Sequence, residues 1–321
     1  MNRIATMPLA AGIAGFAAIA SAQQPAPPAT PAPPPRDFSK VEIKTTDLGN
    51  NTYMLEGDGG NITVAVGSDA VLMVDSEFAP LHDRIKAAIE KITKLPIKYL
   101  VNTHFHGDHT GGNALFHKDG ATVVAEINVR TRLAAGTTNG LTGVKTPPAD
   151  ADALPTKTYA TQLVLKIKGR HPIFLGHPKN AHTDGDSYVQ FTDANVLSTG
   201  DIFSTGRYPN IDFANGGNIK GMIAGAQTYL GLVNDKTKIV TGHGPLASKA
   251  DLVTYIAMLK TALDRMAALV KEGKSEADVL AAKPFADYDK KLGVTDQASA
   301  NFIRVVYHSL ADKPPGKTAS Q

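Results

Sequence analysis

An α/β fold is predicted by three features of this 321-residue chain. Short apolar segments follow one another between residues 41 and 74 with Gly, Asn or Asp turns between them, as consecutive strands do. Helical spacing appears separately, in segments that lie between or after strands. Several later strands end at a loop that offers a histidine or an aspartate.

Taken in order, Val41–Leu48, Thr52–Glu56, Ile62–Val66 and Val71–Val74 are expected strands. Leu81–Ile92 carries Leu81, Ile85, Ala88, Ile89 and Ile92 on one face and is an expected helix. Ile97–Val101 is an apolar run bounded by turn residues, hence a buried strand. Thr122–Glu126 is another, followed by a short helix over Asn128–Ala135. Gly136–Pro155 is rich in Thr, Gly, Pro and Asp; it reads as a long loop, either bordering a pocket or a solvated connection. Strands are expected at Ser187–Phe191, at Asn195–Asp201 and from Lys238 toward His243. Gly221–Leu232 and Lys249–Leu269 read as outer helices, and 275–312 adds helical segments against the sheets.

The N-terminus has the three parts of a secretory signal: Arg3, an apolar stretch from Leu9 to Ile19, and Ala20-Ser21-Ala22. That stretch is too short to span a bilayer. Residues 1–22 are therefore expected to be a signal peptide, 23–36 a Pro/Ala-rich linker, and 37–321 one catalytic domain with a C-terminal helical extension. The expected location is periplasmic or secreted. About 280 residues suits a two-layer sandwich. The formal charge of +3 falls to about +2 once Arg3 leaves with the leader. Blocks of like charge are absent, so neither a nucleic-acid groove nor stable membrane insertion after cleavage is expected. The chain has no cysteine, so core and metals must supply the stability that disulfides give other exported proteins.

Residues 103–112, THFHGDHTGG, carry the chemistry. If extended geometry persists past the strand, His104, His106 and Asp108 fall on one side, and a bend at Gly107 turns His109 back toward them. Four such groups converging in a buried place call for a cation between them. Downstream, His182, Asp201 and His243 each adjoin a strand. Five histidines and two aspartates are too many for one tetrahedral zinc and suit two metals sharing a bridge.

The order H-x-H-x-D-H, then His, Asp and His, resembles the metallo-β-lactamase superfamily of binuclear hydrolases over about 200 residues. The resemblance implies a four-layer αβ/βα sandwich, two mixed sheets with helices outside and metals at one rim. It also implies two Zn²⁺, the first held by His104, His106 and His182, the second by Asp108, His109 and His243, with Asp201 bridging. Iron or manganese are alternatives for a His/Asp ligand set. Asp201 stands where one branch of the family has a cysteine ligand. Asp75, at the end of Val71–Val74, resembles an aspartate that braces the histidine loop, against the alternative of a simple turn carboxylate. Two metals would acidify a bridging water that attacks a carbonyl, with Asp108 as catalytic residue orienting it or passing a proton.

Around this set, Thr103, Thr110 and Thr183 are expected to make ordinary loop contacts, and Asp184 and Asp186 to serve a turn and a strand start. His82, His117, His171, His177 and His308 lack a ligand context and read as surface or satisfied core. Gly57–Gly60 reads as a hairpin turn, shorter than the flap of the β-lactamases. A β-lactam is the favoured substrate, opened as a strained cyclic amide. The family's substrate-gripping lysine is replaced by Ser204, leaving Arg207 or Lys220 as substitutes, Asn215 or Asn218 as oxyanion donors, and Tyr208 as a pocket wall. A Gly/Asn turn is the plainer reading of those asparagines. The alternatives are a lactonase or a carboxylic-ester or thioester hydrolase of the same fold, and from other classes an iron-dependent oxidoreductase or a non-catalytic metal-binding protein. The expected partner is a small-molecule substrate; nothing in the residues fixes an oligomeric state.

Overall fold

Strands in which every residue is buried, such as Ile62–Val66 and Val71–Val74, must be covered on both faces, and the fold does this with two layers on either side. A computed structural model describes residues 36–310; the expected leader and all but the last residue of the expected linker lie outside the described residues. Among the described residues, one sheet orders seven strands as Lys44–Gly49, Thr52–Glu56, Ile62–Val66, Val71–Val74, Ile97–Val101, Thr122–Glu126 and Lys157–Tyr159. Its first half is an antiparallel meander, and from Val71–Val74 onward the strands run parallel. The second sheet orders Gln162–Leu165, Ile173–Gly176, Tyr188–Phe191, Val196–Ser198 and Lys238–Val240, the last pair parallel.

The inner faces meet in one apolar cluster: Met54, Leu72, Val74, Val101 and Val124 from the first sheet pack with Leu175, Val189, Phe191, Val196 and Val240 from the second. Outside the first sheet lies the helix His82–Ile92, whose Ile85, Ala88 and Ile89 pack on Val64, Val71 and Met73. Outside the second lie Ile219–Leu232 and Lys249–Lys271, packed on Leu197 and Ile239. This is the four-layer αβ/βα arrangement.

The C-terminal helices Glu276–Ala282, Ala286–Leu292 and Asp296–Leu310 extend the second outer layer. The last of them stacks His308 on Phe213, and its Ser309 accepts a hydrogen bond from Ile219 N.

Three differences from the sequence pattern matter. The first strand begins at Lys44, three residues later than expected. Lys157–Tyr159, Gln162–Leu165 and Ile173–Gly176 are strands where the pattern predicts no element; they are short, and the edge strands expose one residue of three in Lys157–Tyr159 and two of four in Gln162–Leu165. The segment after Gly136 contains a small hairpin, Thr137–Thr138 with Lys145–Thr146, that reaches the centre from the side: Asn215 donates to Thr138 O. Thr138 thus touches Asn215, while Lys145–Thr146 and the residues around them are exposed.

Candidate metal centre

The strand Ile97–Val101 ends before the motif, and extended geometry does not carry through it. His106 is the N-cap of a helical turn, Gly107–Thr110, which lifts Asp108 and His109 to the same point as His104 and His106. Gly107 is the first helical residue, so a helical turn, not a glycine bend, gathers the ligands. His182 sits in the loop before Tyr188–Phe191, Asp201 in a short 3-10 turn after Val196–Ser198, and His243 in the loop after Lys238–Val240. All seven expected ligands are thus delivered to one rim of the two sheets.

They form two groups in which the ligand atoms lie within 4.8 Å of one another: His104, His106, His182 and Asp201, and then Asp108, His109 and His243. Asp201 reaches both, with Oδ1 3.2 Å from His109 Nε2 and Oδ2 3.7 Å from His182 Nε2 and 3.5 Å from His243 Nε2. His182 Nε2 lies 3.0 Å from His106 Nδ1, and His109 Nε2 lies 3.3 Å from His243 Nε2. Ring nitrogens that close, facing one another, are what a shared cation holds together. His104 Nε2 is buried with no hydrogen-bond partner, a lone pair that a metal would satisfy. The donor set therefore fits divalent metal ions. His104, His109 and His182 are buried, while His106, Asp108 and His243 are partly open to solvent and form the approach.

Outer nitrogens are held as metal-ligating imidazoles require. His109 Nδ1 lies 2.8 Å from Asp75 Oδ2, whose carboxylate also accepts from Thr103 N and Oγ1 at 2.7 Å. Asp75 adopts φ +63°, a left-handed conformation uncommon for a non-glycine residue, at the end of its strand. Thr103 Oγ1 lies 3.1 Å from His104 Nδ1, so this threonine touches a ligand and is more than a loop contact. His182 Nδ1 faces Asn210 O at 2.8 Å, and His106 Nε2 faces Asp212 Oδ2 at 2.9 Å. Thr110 bonds only backbone carbonyls, and Thr183 bonds Asp186. Asp184 is ion-paired with Arg132.

Charge separates the groups. Burial lowers the pKa of His104 well below its usual value, and lowers His182 to about 4. Burial also opposes protonation of His243, but Asp201 and Asp108 outweigh it and raise its pKa to about 9. His109 moves up in the same way, through Asp201, Asp75 and Asp108. Asp201 and Asp108, despite burial, are held well below the usual carboxylate range by His109 and His243.

The expected substrate contacts are corrected. Tyr208 is buried, donates to Asp289 Oδ1 at 2.7 Å and stacks on Phe302; it supports the C-terminal helices and walls no metal site. Asn215 is buried with its amide shared among Asp212 Oδ1, Asp212 Oδ2 and Thr138 O, so it has no proton left for an oxyanion. Its role is to orient the carboxylate that holds His106. Asn218 caps the helix Ile219–Leu232 through Gly221 N. Arg207 lines two cavities, one of about 210 Å³ with Asp251, Tyr255 and Lys291, the other of about 400 Å³ with Phe302 and Val305, and neither includes a ligand. Lys220 is exposed in the first turn of its helix and, among the described residues, makes no hydrogen bond or ion pair.

The sequence reading missed Asp212. Its only local signal is the spacing Asp212-x-x-Asn215, and its partner His106 lies 106 positions away.

Comparison with known proteins agrees with this geometry. Residues 46–243, from the first strand to the last ligand, match the sequence profile of the metallo-β-lactamase superfamily. Among solved structures, a metallo-β-lactamase from Pontibacter korlensis superposes with a TM-score of 0.57 at 17% identity, covering 68% of this chain and 99% of that one. The DIM-1 metallo-β-lactamase gives 0.56 at 18% identity, covering 70% and 100%. Profile, fold and convergent histidines lead to one conclusion: the chain belongs to the metallo-β-lactamase superfamily and is a metal-dependent hydrolase.

Proposed function

We propose that this chain is an exported binuclear zinc hydrolase that opens a cyclic amide, with a β-lactam as the specific substrate. The observation that carries the binuclear reading is Asp201, whose carboxylate lies within reach of His182 in one group and of His109 and His243 in the other. Export is supported by the signal-like Arg3, Leu9–Ile19 and Ala20-Ser21-Ala22. Zinc is supported by an all-imidazole and carboxylate ligand set; iron and manganese are the competing metals. The named neighbours favour a β-lactam.

Bound divalent ions acidify a water and polarise a carbonyl oxygen. Asp108, ionised and partly open to solvent, is placed to accept a hydrogen bond from the attacking water and to take up its proton at Oδ1 or Oδ2. Asp75 and Asp212 fix the ring orientations of His109 and His106, so that the inward nitrogen of each carries the lone pair.

A second reading is a lactonase or ester hydrolase. It is favoured by Ser204, buried where the resemblance places a carboxylate-gripping lysine, and by Arg207, which lines cavities that include none of the expected ligands. A neutral ester needs no such cation.

Protein reconstituted with zinc, iron or manganese and assayed on a chromogenic cephalosporin, a lactone, an aryl ester and a thioester separates these readings. Chelator-sensitive cephalosporin turnover, highest with two equivalents of zinc, is expected. Rapid lactone or ester cleavage without β-lactam turnover would establish the second reading, and full activity with one equivalent would remove the binuclear one.

A further inference from the structure

Glu77 is a fully buried carboxylate outside the ligand set, and three features mark it. Its backbone is left-handed, φ +49°, two residues after the equally left-handed Asp75. A non-glycine residue keeps that conformation only when its surroundings enforce it. Its Oε2 accepts from Asp58 N and Gly59 N, both at 3.1 Å, in the hairpin turn Gly57–Gly60. Its Oε1 is buried with no hydrogen-bond partner. A carboxylate left half-satisfied in the interior is costly, so its retention calls for a reason beyond packing.

The turn that Glu77 grips is in contact with the ligands. Gly60 N donates to Asp108 O at 2.9 Å, and a Cβ at Gly60 would run into the His109 ring. A Cβ at Gly59 would lie 2.6 Å from Asp108 O and 3.1 Å from Glu77 Cβ. Glu77 also reaches the far end of the ligand helix, its carbonyl accepting from Gly112 N at 3.2 Å. One residue therefore ties the hairpin turn to both ends of the segment that bears Asp108 and His109. None of its contacts involves His104, His106 or His182.

We infer that Glu77 is a positioning residue for one half of the centre: by clamping the turn Gly57–Gly60 onto Asp108 and His109, it sets the affinity of the second metal and leaves the first unaffected. The inference rests on the binuclear reading proposed above. Glu77 touches neither metal nor substrate and acts through the turn.

Stepwise titration of metal-free protein with cobalt(II), followed by its visible absorption, tests it. The wild type must show two binding steps; a single step would fail the binuclear reading itself, and with it the inference. Given two steps, Glu77→Ala is expected to weaken the second by about 10–100-fold, as loss of an outer support does, with the first unchanged. Glu77→Gln, which keeps an oxygen for the two amides, is expected to restore it. Should the alanine variant not fold, Glu77→Asp, too short to reach both amides, carries the same expectation. Two unchanged steps, equal weakening of both, or a glutamine variant as weak as the alanine would overturn the assignment.

Discussion

His104 and His182 are buried imidazoles with lowered proton affinity, whereas His109 and His243 sit among Asp75, Asp108 and Asp201 and hold their protons. Without metal, one group presents bare lone pairs and the other a cluster of mutually neutralising charges. A cation entering the first displaces no proton from His182 at neutral pH, while one entering the second must displace protons. The supports differ too. His106 and His182 are held from the segment around Asn210 and Asp212, whereas Asp75 holds His109 directly and reaches His104 only through Thr103. One rim of the fold thus carries two groups of candidate ligands built by different means, with Asp201 within reach of both.

The comparison breaks most severely at the shared residue. Asp201→Ala is expected to lower turnover by more than the roughly 10–100-fold typical of outer supports, with metal content falling in both steps; a variant holding two metals at full activity would end the bridging assignment. Outer supports sharpen the contrast. Asp212→Ala is expected to weaken the first step by about 10–100-fold and Asp75→Ala the second by a similar factor. Equal losses in both steps from either variant would mean the halves are not separable.

Acidity distinguishes them next. The pKa of His243 is raised to about 9, so its charge pairing stabilises the metal-free fold below the usual histidine range and is lost as pH rises through 9. Metal competes with that proton. The logarithm of the second-step affinity should therefore rise by about one per pH unit between pH 7 and 9 from this residue, while the His182 contribution to the first step stays flat. Titrations at three pH values check it, and parallel slopes would refute the contrast. The smallest effect is expected at Tyr208→Phe, which loses the bond to Asp289: about 1 kcal/mol in denaturant unfolding, with turnover unchanged. A loss of turnover would return Tyr208 to the substrate pocket.

The ligands were legible because four of the seven lie within six positions and the others each adjoin an expected strand. Their chemistry is readable in one dimension. What supports them is not, because Asp212 meets His106, and Glu77 meets Asp58, only through the folded chain. The bend assigned to Gly107 erred for a related reason: strand periodicity was extended past Val101, where backbone bonding to His106 O already starts a helical turn. Arg207 and Lys220 were offered as substitutes for a missing lysine, and Tyr208 as a pocket wall, from residue type alone, which does not fix the direction of a side chain. The strands between 157 and 176 are only three or four residues long, too short to show an alternating pattern.

Asn61 adjoins the same turn, and it reaches across the molecule. Its side chain donates to Thr241 O and Gly244 O, and its amide to Gly242 O, across 180 positions of sequence. Contacts of that separation form late and slow folding. The loop bearing His243 meets Asp108 and His109 beside this stitch, so capture of a metal by these three residues would require the two strand ends to have docked. Stopped-flow refolding with a metal-sensitive dye would then read the docking of the two sheets directly, and release of the second metal into excess chelator would read their parting.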